Sequence, residues 1–242
     1  MNILAIGCHP DDVEIACAGT LAKCVQRGDK VIVCHVSSGN LGHVVIPPDE
    51  LRGIRAGEAK KAGALAGIEV ICAGFDDLEI FDNGKEARDV LVDVIRYADP
   101  DLIITHNPDD YMPDHTAVSR LVFDASFTAT LPNYTDYVHR FSTMDSKPAK
   151  LVPIFYMDTL AGVDFNPTEY VDISDVIDLK LDMLKCHESQ LVWMLEHDGI
   201  DFADMVKTCS KYRGYQCGVA FAEGFKPYNV YPRYSTKNLL PD

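Results

Sequence analysis

The chain has 242 residues, 47% of them apolar and 24% charged, the ordinary mixture of a soluble globular protein rather than of a disordered one. Lys and Arg number 22 against 37 Asp and Glu, a formal charge of −15. That balance excludes the basic face that nucleic acid or anionic lipid demands.

No stretch approaches the apolar length of a membrane span. The start, MNILAIGCHPDD, lacks the basic residues and the long apolar run of a signal peptide. Its LAIGC imitates a lipoprotein cleavage site, but no charged segment precedes it and Pro10, Asp11 and Asp12 follow. The eight cysteines contain no CxxC pair. They read as reduced, buried small hydrophobes of a cytoplasmic protein.

In chain order, residues 2–7 read as a buried strand and 13–27 as a helix closed by Gly28-Asp29. A second strand over 30–36 leads into the Gly-rich loop SSGNLGH, and Pro47-Pro48 opens a helix that Gly67 closes. Then come a short strand over 69–73, a helix over 85–98 and a buried strand over 101–105. Near-continuous apolar strands alternating with helices predict an α/β fold: a doubly wound, mostly parallel, Rossmann-like sheet with helices on both faces. A helix follows from about 115 to 127, then a stretch over 128–170 taken as an irregular insertion, with strands near 151–158 and 168–174. Ile173, Ile177, Leu181 and Leu184 share one helical face, with Ser174 or Asp172 available as its cap. A last helix covers 201–212 before a Tyr/Pro-rich tail. No linker divides the chain, so residues 1–242 are expected to form a single domain with a C-terminal elaboration.

In open α/β sheets, ligands bind at the carboxyl ends of the strands. The first strand ends into Gly7-Cys8-His9-Pro10-Asp11-Asp12-Val13-Glu14, one imidazole and three carboxylates where a nucleotide site would have glycines. The 101–105 strand ends into His106-Asn107-Pro108-Asp109-Asp110-Tyr111-Met112-Pro113-Asp114-His115. Each loop by itself reads equally well as a capped helix N-terminus. Two at one sheet edge, both rich in His and Asp, predict a cation site. Two His and one Asp with an open position form the ligand set of catalytic zinc, although another first-row metal also fits. His9 and Asp12 share a helix face, and Asp11 between them is free to work beside the metal.

HPDD-x-E followed by Ala18-Gly19-Thr20, with a distant Pro113-Asp114-His115, resembles the PIG-L/LmbE-like zinc deacetylase family. The resemblance extends to Ser38-Gly39-Asn40-Leu41-Gly42, to Arg52 through Glu58, to Phe75-Asp76-Asp77-Leu78, to His187-Glu188-Ser189-Gln190 and to Ala222-Glu223-Gly224-Phe225. It implies a metal-dependent amidase that removes acetyl from N-acetylglucosamine units of sugar conjugates. It also implies one zinc per chain on His9, Asp12 and His115, Asp11 as general base, and Arg55 and Asp77 as holders of the sugar hydroxyls. The sequence departs from relatives at Met112, where a His that steadies the oxyanion is common, and at Asn40, where Glu is common. A backbone N–H, Tyr111, His106 and His43 are the groups available to replace that donor, with Asp114 as a supporting group; His187 is a further supporting candidate. Alternatives are an amidase for a non-sugar or thiol-conjugate substrate, and a sugar-binding relative without turnover. A Cys8–His9 hydrolase is disfavoured, because neighbours in a strand point apart. A homo-oligomer is compatible with the apolar 128–170 segment.

Overall fold

The apolar runs become the centre of a seven-stranded sheet in the computed structural model, which describes residues 1–241. β1 (Asn2–Gly7), β2 (Lys30–Ser37), β3 (Glu69–Phe75), β4 (Leu102–Thr105), β5 (Ile154–Met157), β6 (Glu169–Asp172) and β7 (Ala222–Pro227) lie in the order β3-β2-β1-β4-β5-β7-β6. The first five pair in parallel, and β7 runs antiparallel to both β5 and β6.

Strand alternation splits the core in two. Ile3, Ala5, Val31 and Val33 pack on one face against α1 (Asp12–Ala16), α2 (Ala18–Gln26) and α6 (Ile177–Lys185). Leu4, Ile6, Ile32 and Cys34 pack on the other against α4 (Lys85–Ala98) and α5 (Pro113–Thr128). α3 (Pro48–Ala66), α7 (Glu188–Asp198) and α8 (Phe202–Cys217) complete the helices. Among the described residues no helix is long and apolar enough to cross a membrane. Ile6 pairs with Thr105, so the loops leaving β1 and β4 emerge side by side.

The helix expected over 13–27 is instead two, broken at Cys17 with φ −147°. A break orphans backbone groups that need other partners. Lys180 Nζ donates to the Ile15 carbonyl at 2.8 Å, while Glu223 accepts from Gly19 N at 3.0 Å and Thr20 N at 2.7 Å. Lys180 and Glu223 also pair with each other, almost wholly buried. These groups lie far downstream, so the local pattern gave no sign of the break.

The 128–170 stretch is irregular only in part, since β5 lies within it and extends the parallel sheet beside β4. Ser174 and Asp172 do not cap α6: Val176 precedes it, and Asp172 instead accepts from the Ser174 amide at 2.9 Å. α7 and β7 were not expected as elements. β7 carries the Ala222–Phe225 motif, whose Glu223 braces the helix break.

Candidate active site

The chain leaves β1 through Gly7, where a Cβ would lie 2.8 Å from Val13 Cγ2, and turns sharply to start α1. Asp11 is held at φ 129°, a strained conformation for a non-glycine residue that the surroundings must over-determine. They do so through Arg55 of α3. Its guanidinium donates to the Pro10 carbonyl, to Gly39 O at 3.1 Å and to Asp11 Oδ2 at 3.1 Å. Gly39 is required twice over: its φ is +69°, and a Cβ there would sit 2.3 Å from the guanidinium.

The second loop closes on the first. Pro113 opens α5 and places His115 in its first turn. His115 Nε2 faces Asp12 Oδ1 at 3.3 Å, and His9 Nδ1 faces Asp12 Oδ2 at 3.5 Å. The ligand atoms of His9, Asp12 and His115 lie within 4.8 Å of one another. Donors bonded at ~2.05 Å to one tetrahedral ion stand ~3.3 Å apart, so the trio fits such an ion. Both ring nitrogens of His115 are buried without a well-formed hydrogen bond, which leaves Nε2 directed at that point. Each imidazole is backed on its other nitrogen: Asp114 Oδ2 is 3.2 Å from His9 Nε2, and Asp110 Oδ1 is 3.2 Å from His115 Nδ1. Carboxylates so placed fix ring orientation and raise ligand basicity.

The charges agree with a cation site. Burial disfavours an imidazolium at His115, but Asp12 and Asp110 outweigh it and push the pKa up to about 9. His9 rises well above its ordinary value, with Asp114 and Asp12 overcoming burial. Despite its own burial, Asp12 is held well below the usual carboxylate range, chiefly by His115 and His106. A dication bound there would take the place of those protons. Asp11 behaves differently: burial pushes it up to about 6, against the pull of Arg55. A carboxyl near neutrality beside a cation trio is suited to moving a proton.

The remaining expected residues fall into distinct places. His106 stacks on His115 at 4.0 Å, and its Nε2 accepts from Cys8 N at 2.8 Å. Burial and the neighbouring His115 lower it to about 4, so it is a neutral wall of the site. Tyr111 lines the cavity edge-on to His115 and is 65% exposed. His43 turns away: its Nδ1 accepts from Val45 N at 3.0 Å and Ile46 N at 3.1 Å, and its ring packs near Trp193. Arg55 and Asp77 do line the cavity, but both work within the protein. Asp77 accepts from Ser37 Oγ and, at 2.8 Å, from Leu41 N, fixing the loop after β2. His187 meets Glu14 at 3.4 Å, with both fully buried behind Asp11's loop.

Asp110 is the supporting residue that sequence reasoning did not assign. The only available signal was its place five residues before His115 in an acidic loop. Cys8 also corrects an expectation. The chain has left the strand, so Cys8 Sγ does approach His9 Nε2, at 3.7 Å. Burial pushes that thiol up to about 12, which suppresses the thiolate a cysteine nucleophile needs.

These residues line a cavity of about 370 Å³ at the carboxyl ends of β1 and β4. Residues 4–126 match the profile of the PIG-L family, described as GlcNAc-PI de-N-acetylase. The diacetylchitobiose deacetylase of Thermococcus kodakarensis is 30% identical over 238 residues, covering 93% of this chain and 82% of the relative. The structure of N,N'-diacetylchitobiose deacetylase from Pyrococcus horikoshii superposes with a TM-score of 0.80 at 26% identity, covering 95% of this chain and 86% of that one. GalB from Pseudomonas putida, a 4-carboxy-2-hydroxymuconate hydratase, gives the same TM-score at 20% identity over 98% of this chain and 100% of its own. Fold likeness therefore does not select the reaction. The family match and the full-length relative do: the chain belongs to the PIG-L family of deacetylases, a family of hydrolases.

Proposed function

We propose that the protein is a zinc-dependent deacetylase that cleaves the amide of an N-acetylglucosamine-type sugar or sugar conjugate, releasing acetate and a free amine. All 242 residues are read as one deacetylase unit. The observation that carries the reading is a strained, near-neutral Asp11 beside a trio of ligand-spaced His9, Asp12 and His115. The deacetylases named above support an N-acetylated sugar as the substrate. Two imidazoles and one carboxylate favour zinc over harder cations.

His9, Asp12 and His115 would hold a divalent metal, which when bound would supply an acidified water and polarise the scissile carbonyl. Asp110 and Asp114 hold the two imidazoles in register for it. Asp11 takes the water's proton as the water attacks the acetyl carbon, and Arg55 keeps the carboxylate aimed there. Tyr111, a cavity residue whose hydroxyl has no hydrogen-bond partner among the described residues, donates to the developing oxyanion in the role that Met112 cannot fill. Asp11 then returns its proton to the departing amine.

The test is amine release from N-acetylglucosamine and its glycosides, with and without chelator. Turnover that disappears on chelation and returns with zinc is the expected result. Undiminished turnover in metal-free protein overturns the metal's role. Tight sugar binding with no amine released favours the sugar-binding relative instead.

A further inference from the structure

The cavity wall is ill suited to a bare, hydroxyl-rich sugar. Each sugar hydroxyl leaving water needs a partner that can donate or accept. Most polar side-chain atoms around the trio already serve the protein. Asp77 is taken by Ser37 and Leu41, and Arg55 spends both terminal nitrogens on Pro10, Gly39 and Asp11, leaving only its buried Nε without a partner among the described residues. Asp158 accepts from Arg213 Nε at 2.6 Å and from its second nitrogen at 3.0 Å. Gln190 donates to Gly42 O at 3.1 Å. Beyond the trio and its two backing carboxylates, Tyr111 is the polar lining side chain left without a hydrogen-bond partner among the described residues.

Apolar surface is supplied generously instead. Leu78 and Met112 contribute from the loops beside the trio, and Met157, Leu160, Met194 and Phe202 from β5 and the segments after it. Leu78 is 63% exposed, and its amide donates to Asp114, which places an uncovered aliphatic side chain beside the metal loops. Three of the six are methionines, whose unbranched, polarisable side chains adapt to apolar groups of varied shape. Met112 replaces a polar donor with more of the same surface.

We propose that the substrate carries an apolar arm, an alkyl or aryl group of several carbons, which this wall covers while the amide lies at the metal trio. The inference rests on the deacetylase reading above and specifies its substrate class. The arm belongs either to the acyl group or to the aglycone of the amino sugar, and the two sources are separable.

The experiment measures kcat/KM for two series on the zinc-loaded chain. One lengthens the acyl group from N-acetyl to N-butyryl to N-hexanoyl glucosamine. The other keeps N-acetyl and changes the glycoside from methyl to phenyl to octyl. Each buried methylene is worth roughly fourfold, so a gain of about fifteenfold over two methylenes is expected in one series. A rise confined to the first series assigns the arm to the acyl group, and a rise confined to the second assigns it to the aglycone. Two flat series, with N-acetylglucosamine still turned over, overturn the proposal and leave the deacetylase reading standing. If nothing is cleaved, that reading falls, and calorimetry on the same compounds decides the pocket. Tenfold tighter binding of the longer compounds supports the apolar wall, and equal affinities overturn it. Leu160→Asn and Met194→Asn, both half-buried positions, lower the long-to-short ratio in the series that rises.

Discussion

Two clusters of buried charge flank the short helix α1, and they differ in how far their polar atoms are answered. At its carboxyl end, Lys180 and Glu223 meet each other and satisfy the Ile15 carbonyl and the Gly19 and Thr20 amides. That cluster is closed. At its amino end, Asp12 faces His9 at 3.5 Å and His115 at 3.3 Å, and His115 Nε2 makes no well-formed hydrogen bond among the described residues, although Asp110 backs the ring's other nitrogen. That cluster is open. A buried nitrogen without a well-formed hydrogen bond is costly, and a cation held by the trio would offset that cost. Similar residue types therefore build a structural staple in one place and, on the proposed reading, a reactive centre in the other.

The contrast is tested most severely by opening both clusters. His115→Ala removes a ligand from the open one, and metal content measured on purified protein is expected to fall from about one per chain to near zero, with activity lost alongside. Asp11→Asn keeps the metal but lowers kcat by ~10²–10⁴; near-normal turnover in that variant rules out Asp11 as the base. Lys180→Met strands Glu223 in the closed cluster, and denaturant unfolding is expected to show a loss of ~3–5 kcal/mol with metal content unchanged. A loss of metal with full stability would invert the assignment of the two clusters. Asp110→Asn acts more gently, weakening metal affinity by ~10–100-fold in a chelator competition.

The open cluster was the more legible of the two. Its ligands sit in two short runs, HPDD and PDH, each at the end of an apolar strand, and the strand-end rule brings such runs together. The closed cluster joins Thr20 to Glu223 across 203 residues, and although both lie in motifs, nothing local shows that they meet. The helix break was therefore invisible, and so was the reason for the Ala222–Phe225 motif. The mostly parallel sheet and its two-sided core were readable from strand apolarity, whereas β7 was hidden by a Gly-Phe-Lys-Pro sequence poor in strand signals. Arg55 shows the remaining gap. Resemblance pointed to sugar hydroxyls, but which of its five donors the protein itself consumes depends on where Pro10 and Gly39 place their carbonyls.

Arg55 also provides the finest test, because it acts on Asp11 in two ways at once. Its charge pulls the carboxyl down from where burial would put it, and its planar fork fixes the loop that aims it. Asp11 serves as a base only when ionised, so kcat/KM falls as pH drops through its pKa. In the resting protein that value is about 6, and a bound dication adds to the pull of Arg55, so the acid limb is expected at or below this pH. Arg55→Met removes the charge and moves the limb upward by roughly 1–3 units, since an opposite charge at contact distance is worth that much. Arg55→Lys keeps a charge without the fork, so the limb stays near its place while kcat falls through poorer aim. If the limb is unmoved in both variants, Asp11 does not set it, and the proton that controls the rate sits on another group of the open cluster.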